Sequence, residues 1–279
     1  MSRGQYPEPG LVPALVIRLG SCRERACASA VQGIERMAEG EPGWSAAAPK
    51  VMCLSCPARD SFLCSGLEDH EIRHLAARAT RFQLPKGKSL ILEGDPSENV
   101  YNIISGDVVL SRVASDGRRQ ILGFLGEGDF IGLTLSEHYK FSAEALSDVR
   151  LCRFDRRSLD ELVERFPGMD RQIRRMGAAA VDHMLGLVFA LGRKSAEERV
   201  ATFLLDVAEK QGCCKDPSRT IHLAMTRGDI ADFLGLTLET VSRTISRLKR
   251  QGIIRLLSSN RVEILKPDEL AALADAEVA

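Results

Sequence analysis

The sequence predicts an α+β chain: an antiparallel β sandwich or barrel in the N-terminal half, then one long helix, then a C-terminal winged helix-turn-helix. Three observations predict it. Short β-branched runs alternate with glycine-bearing turns between Arg81 and Phe154. A helical pattern runs unbroken from about Asp170 to Arg193. Two capped helical segments flank Gly235-Leu236-Thr237, and a hairpin pattern follows.

The 279 residues leave room for about two domains plus connections. We divide them into an extension expected to be disordered (1–50), a cysteine segment with the β domain (51–168), the long helix (169–193) and the C-terminal domain (194–279). The extension is rich in Ala, Gly, Pro and Glu, with room for one short helix around Arg23–Ala38. Glu68–Ala79 reads as a helix. The runs Ser89–Leu92, Val100–Ile104, Val108–Val113, Gln120–Leu125 and Val149–Phe154 have strand length. There is no βαβ alternation and no Gly-rich phosphate fingerprint opening a helix, so the common α/β nucleotide-dependent enzymes are disfavoured.

Ser158–Phe166 reads as a short helix ended by Pro167. In the long helix, Ile173, Gly177, Ala180, Met184, Leu187 and Leu191 recur at spacings of 4, 3, 4, 3 and 4. That is a heptad seam suited to pairing with an identical helix in a homodimer; the alternative is a core helix lying on its own sheet. Ser195–Gln211 is the next helix.

Lys+Arg and Asp+Glu balance at 38 each, so net charge names no partner. The balance hides a basic stretch: between Glu239 and Arg261 a single acid faces Arg243, Arg247, Lys249, Arg250, Arg255 and Arg261. No apolar run approaches the roughly 20 residues needed to span a membrane, and the first residues do not read as a signal peptide. We therefore expect a cytoplasmic protein with no membrane partner. Its eight cysteines would stay reduced there, which favours metal binding over disulfides for any that cluster.

Thr226 caps a helix with Asp229 three residues on, as in a capping box, and Thr237 caps a second helix over Leu238–Gln251. Gly252 is placed to end it in the left-handed conformation. Leu238, Val241, Ile245 and Leu248 are expected to face the core. Glu239, Ser242, Arg243, Ser246, Arg247 and Arg250 lie on the other side. A carboxylate can accept from cytosine N4, and arginine can donate twice to guanine. Ile253–Leu265 reads as a two-stranded wing. Alone, such a helix would pass for a salt-bridged solvent face; with the capped helix before it, the basic bias and the hairpin, it reads as a binder of double-stranded DNA. Glu239 and Arg243 are the expected base readers, Ser242 can contact a base edge or a phosphate, and Arg247, Lys249 or Arg250 are expected on phosphates.

Met225–Arg243, MTRGDIADFLGLTLETVSR, closely resembles the helix-turn-helix of the FNR branch of the cAMP receptor protein (CRP/FNR) superfamily of bacterial transcription regulators. The resemblance extends through Ala196-Glu197-Glu198-Arg199 and the β-domain turns, over roughly Cys53–Leu273. It implies that the β domain is a cyclic-nucleotide-binding-like β-roll. It implies also that Glu239, Ser242 and Arg243 read a TTGAT-like half-site of a palindrome, and that the regulator contacts RNA polymerase. Where the family's best-studied member has an acidic residue in the seam, this chain has Met184.

Cys53-x2-Cys56-x7-Cys64 is a tight trio of soft ligands, and Cys152 ends the last β-domain strand. Four thiolates serve either zinc or an iron–sulfur cluster, and the trio alone does not choose. A four-cysteine site is closed, leaving no open position for hydrolytic chemistry, so an enzyme is not expected. The resemblance implies an oxygen-labile [4Fe-4S] cluster on Cys53, Cys56, Cys64 and Cys152; the alternative is structural zinc in a regulator controlled otherwise. Cys22 and Cys27 are substitutes for Cys152, and Cys213-Cys214 is read as a loop pair without a metal. His70 and His74, one turn apart near Cys64, are weaker candidates. Cyclic-nucleotide receptors of the superfamily hold the phosphate with an Arg-Ser pair. Here Gly132–Leu146 has no arginine and carries Glu144, so no cyclic nucleotide is expected.

Overall fold

The computed structural model describes Cys53, Cys56, Arg59 and residues 63–212 and 219–275. The expectations for 1–50, including Cys22 and Cys27, and for Cys213 and Cys214 lie outside the described residues.

Two four-stranded antiparallel sheets form the N-terminal domain. Helix α1 (Asp69–Arg78) leads in, started by a capping box between Glu68 and Glu71. The strands are β1 (Thr80–Leu84), β2 (Ser89–Ile91), β3 (Asn99–Ser105), β4 (Val108–Val113), β5 (Arg119–Leu125), β6 (Phe130–Ile131), β7 (Ser142–Ala145) and β8 (Val149–Asp155). One sheet has the order β1-β8-β3-β6, the other β2-β7-β4-β5. Their facing side chains, among them Ile103, Val108, Ala143 and Leu151, are buried together. The antiparallel expectation holds. The added strands β1, β6 and β7 are short or poor in β-branched residues and owe their extension to sheet neighbours.

Helix α2 (Arg156–Arg165) is capped by Asp155, which accepts from the Ser158 amide. Pro167 does more than end α2: it is the first residue of α3 (Pro167–Arg193), where a missing N–H costs nothing. The long helix therefore begins three residues before the expected Asp170.

Helix α4 (Ala196–Lys210) opens with a Ser195–Glu198 capping box. Then come β9 (Thr220–His222), α5 (Arg227–Leu234), α6 (Leu238–Arg250), β10 (Ile254–Leu256), β11 (Arg261–Ile264) and α7 (Pro267–Ala274). Thr226 and Asp229 form the expected capping box on α5, and the Thr237 hydroxyl accepts from the Thr240 amide to cap α6. Gly235 (φ 62°) and Gly252 (φ 68°) take the left-handed conformation that lets the chain turn after each helix. The wing gains a third strand, in the order β10-β11-β9.

Val241, Ile245 and Leu248 anchor α6 in the C-terminal core, each burial contributing about 1.5–3 kcal/mol. Leu238 departs from expectation: it is 54% exposed, and Thr244 is buried instead. Leu238 is the first residue of the helix and projects past the edge of the core.

Candidate nucleic-acid interface and cysteine site

Helix α6 presents Glu239, Arg243, Ser246, Arg247, Lys249 and Arg250 to solvent, with Ser242 half-buried. Ser242, Arg243, Ser246, Arg247 and Arg250 line one shallow groove along it. Glu239 and Arg243 are 3.5 Å apart, a loose pair that leaves both heads available. Arg247 is held more firmly, donating to Glu197 of α4 at 2.7 Å. Lys249 and Arg250 have no ion-pair partner among the described residues.

Arg199, one turn into α4, fixes where the helix-turn-helix sits. It donates to the carbonyls of Lys194 (2.9 Å), Leu234 (2.9 Å) and Leu191 (2.8 Å). Leu191 and Leu234 lie in the last turns of α3 and α5, where carbonyls lack helical donors, so one guanidinium joins three helices. The β domain grips the same region. Arg119 of β5 pairs with Asp229 and, at 2.9 Å, with Asp232 of α5. Gln120 donates to the Phe233 carbonyl at 3.2 Å. Phe124, Phe203 and Phe233 pack ring against ring at centroid distances of 5.4–6.1 Å. Burial pushes the Asp229 carboxyl up, but hydrogen bonds from Thr226 and Arg119 outweigh it, and the group sits below its ordinary range.

On the far side of the β domain, Cys53, Cys56, Cys64 and Cys152 line one small cavity with Ile72, Leu75, Ala76, Ala79, Asn102 and Phe154. Cys152 is buried and the other three are half-buried. Burial, with the neighbouring cysteines against a weaker opposing pull from Arg59, pushes the Cys64 thiol up to about 12. Burial raises Cys152 to about 11 and raises Cys53 as well, with Arg81 pulling both down. The Arg81 guanidinium donates to Cys53 Sγ at 2.8 Å. Arg59 ties the segment down, donating to the carbonyls of Cys64 and Leu67. His70 and His74 instead rest against the Phe166 ring, with centroids 5.7 and 5.0 Å away.

The site is fastened to the start of α3. The buried Glu71 carboxylate lies so close to Gly168 that an added Cβ would meet it at 2.5 Å. A carboxylate there also suits the positive end of the helix. Met169, Ile173 and Met176 pack into the core that contains the cysteines.

Six residues were expected to form the seam on α3. Ala180 and Met184 are exposed, and Gly177 and Leu191 are half-buried. Ile173 and Leu187 pack against their own chain. The exposed apolar stripe is rotated from the expected one and consists of Val181, Met184, Leu185, Val188 and Phe189. Among the described residues no helix is long and apolar enough to cross a membrane. Sequence reasoning missed Arg81, Asn102, Arg119 and Arg199; only strand pairing and helix packing reveal their partners.

Residues 198–273 match the family described as the Crp-like helix-turn-helix domain, and residues 81–166 match the cyclic nucleotide-binding domain. The nitrogen fixation regulation protein FixK of Bradyrhizobium diazoefficiens is 39% identical over 228 residues, covering 80% of this chain and 94% of the relative. The transcriptional activator protein FnrL of Cereibacter sphaeroides is 31% identical, covering 75% and 86%. The structure of FixK2 from Bradyrhizobium japonicum superposes with a TM-score of 0.67 at 36% identity, over 72% of this chain and 99% of that one. A capped helix-turn-helix with a basic outer face, set beside an antiparallel double sheet, thus has relatives that are regulators and not enzymes: the chain belongs to the CRP/FNR superfamily and is a DNA-binding transcription regulator.

Proposed function

We propose that this regulator responds to oxygen. In this reading Cys53, Cys56, Cys64 and Cys152 hold a [4Fe-4S] cluster that governs the pairing of two chains on a palindromic TTGAT-like site. The observation that carries it is the meeting of all four cysteines at one cavity, although Cys152 is 88 residues from Cys64 in the chain (152 − 64). A donor set of four sulfurs among apolar walls suits an iron–sulfur group.

When bound, the cluster supplies a group that oxygen attacks. The chain's own residues supply the rest of the response. Arg59 holds the cysteine loop, and Glu71 and Met169 tie it to the first turn of α3. The order of that loop therefore bears on α3, whose exposed stripe of Val181, Met184, Leu185, Val188 and Phe189 supports pairing with a second copy. Two paired chains would set two α6 helices about one DNA turn apart. Contact with RNA polymerase belongs to the same proposal and rests on the family. A cyclic nucleotide does not, because β7 presents Glu144 where a phosphate would need a cation.

The test is purification without oxygen, followed by assays for iron, acid-labile sulfide and zinc and by binding to a palindromic duplex before and after exposure to air. Iron with equivalent sulfide, and DNA binding lost in air, are expected. Zinc without sulfide, with binding unaffected by air, overturns the reading.

A further inference from the structure

We infer that Arg81 and Asn102 are positioning residues for the metal–sulfur assembly: they bracket Cys152 in the sheet and donate hydrogen bonds to the sulfurs gathered in the cavity. The inference rests on the cluster reading above and deepens it.

Sheet register puts the three residues in one row. Strand β8 lies between β1 and β3; Arg81 of β1 is directly opposite Cys152 on one side, and Asn102 of β3 is directly opposite it on the other. Directly opposed residues on antiparallel strands project from the same face, so the row Arg81–Cys152–Asn102 faces one way. Arg81 already reaches across to Cys53 Sγ at 2.8 Å. It therefore touches the segment that brings the N-terminal cysteines as well as flanking the one that comes from the sheet.

Asn102 sets a polar side chain among apolar neighbours. It is 3% exposed, it lines the cysteine cavity, and its Oδ1 is buried without a hydrogen-bond partner. A buried carboxamide oxygen without a partner is costly, so an apolar residue would serve the fold by itself better. The cavity accounts for it. Rotation of the carboxamide presents either the oxygen, which accepts from a neutral thiol, or the Nδ2 amide, which donates to a thiolate or sulfide. An anionic metal–thiolate group in this apolar setting needs both a counter-charge and donors to its sulfurs. Arg81 supplies the charge and donors, and Asn102 supplies a neutral donor from the opposite side. Hydrogen bonds and positive charge at the sulfurs raise the reduction potential of an iron–sulfur group.

The experiment uses the full chain, reconstituted without oxygen, as wild type, Asn102→Leu, Arg81→Gln and Arg81→Lys. Three quantities are read: the midpoint potential of the cluster, the rate at which an iron chelator strips it, and the melting temperature of the metal-free chain. For Asn102→Leu we expect a metal-free chain at least as stable as wild type, together with stripping about tenfold faster and a more negative potential. A tenfold change in the reduction equilibrium corresponds to about 59 mV for one electron. Arg81→Gln should shift both cluster readouts further the same way, and Arg81→Lys, which keeps the charge, should recover most of the loss. A cluster in Asn102→Leu and Arg81→Lys with the potential and stripping rate of Arg81→Gln, or in all variants with those of wild type, overturns the inference while leaving the cluster reading standing. A wild type that takes up no iron overturns both.

Discussion

The cysteine cavity and the outer face of α6 treat charge in opposite ways. The cavity gathers four sulfurs among apolar side chains and sets the guanidinium groups of Arg81 and Arg59 beside them. Helix α6 spreads Arg243, Lys249 and Arg250 into solvent with little to neutralise them. Burial raises the thiols of Cys53, Cys64 and Cys152, so in the proposed reading these groups give up their protons to a metal–sulfur ligand that stays. Exposure keeps the cations of α6 hydrated and mobile, as suits a polyanion that comes and goes. In the proposed reading, permanent and transient recognition are thus told apart by dielectric environment more than by residue type.

The largest effect expected from this contrast is at the cavity. Cys152→Ala should abolish iron retention, because no other sulfur from the sheet lines the cavity; full iron and sulfide in that variant would falsify its place among the ligands. Next is the α3 stripe. Val188→Lys, at a position 68% exposed, should fold normally yet sediment as a monomer under anaerobic conditions, since pairing would bury an unmatched charge. Leu187→Lys, which intrudes on the chain's own core, should lower the melting temperature as well. Equal behaviour of the two variants would return the seam to the unrotated position.

On α6 the effects are smaller and differ in kind. Arg243→Ala should cost about 1–3 kcal/mol per half-site and relax preference at one base pair, measured on a panel of half-site variants. Lys249→Ala should weaken all sequences alike and lower the salt dependence by about one unit per half-site, read from titrations at several salt concentrations. If Arg243→Ala also weakens all sequences alike, the contrast between base reader and phosphate holder fails. The smallest effect is at the domain contact. Asp229 titrates below its ordinary range, so its stabilising contribution is present above the unfolded value near 4 and is lost as pH falls through the folded value. Asp229→Asn should flatten the acid limb of a melting-temperature profile, with little change at neutral pH beyond the lost ion pair, about 1 kcal/mol.

The winged helix-turn-helix was legible because its signals are local. As caps and turns, Thr226, Asp229, Thr237, Gly235 and Gly252 each work within four residues of their own position, although Asp229 also reaches Arg119 across the chain. The sheets were legible where β-branched runs are long, as in β4. They were obscure in β7, whose sequence Ser-Ala-Glu-Ala has no strand preference and is extended only because β2 and β4 flank it. The cysteine trio was visible as spacing, but Arg81 and Asn102 became partners only through register, which no single strand encodes. The seam shows a third limit. Periodicity finds the apolar faces of α3 but not which of them its own cores take, and those cores take Ile173 and Leu187.

The guanidinium of Arg199 gives α3 a mechanical meaning. Across 27 residues α3 is a rod about 40 Å long, anchored at one end beside the cysteines and at the other by the carbonyls of Leu191 and Lys194. The Leu234 carbonyl at the end of α5 shares that anchor, so α3, α4 and α5 meet at one guanidinium. In the proposed reading, a shift that begins beside the cysteines reaches the α5–α6 pair through this one side chain, about seven helical turns of α3 away.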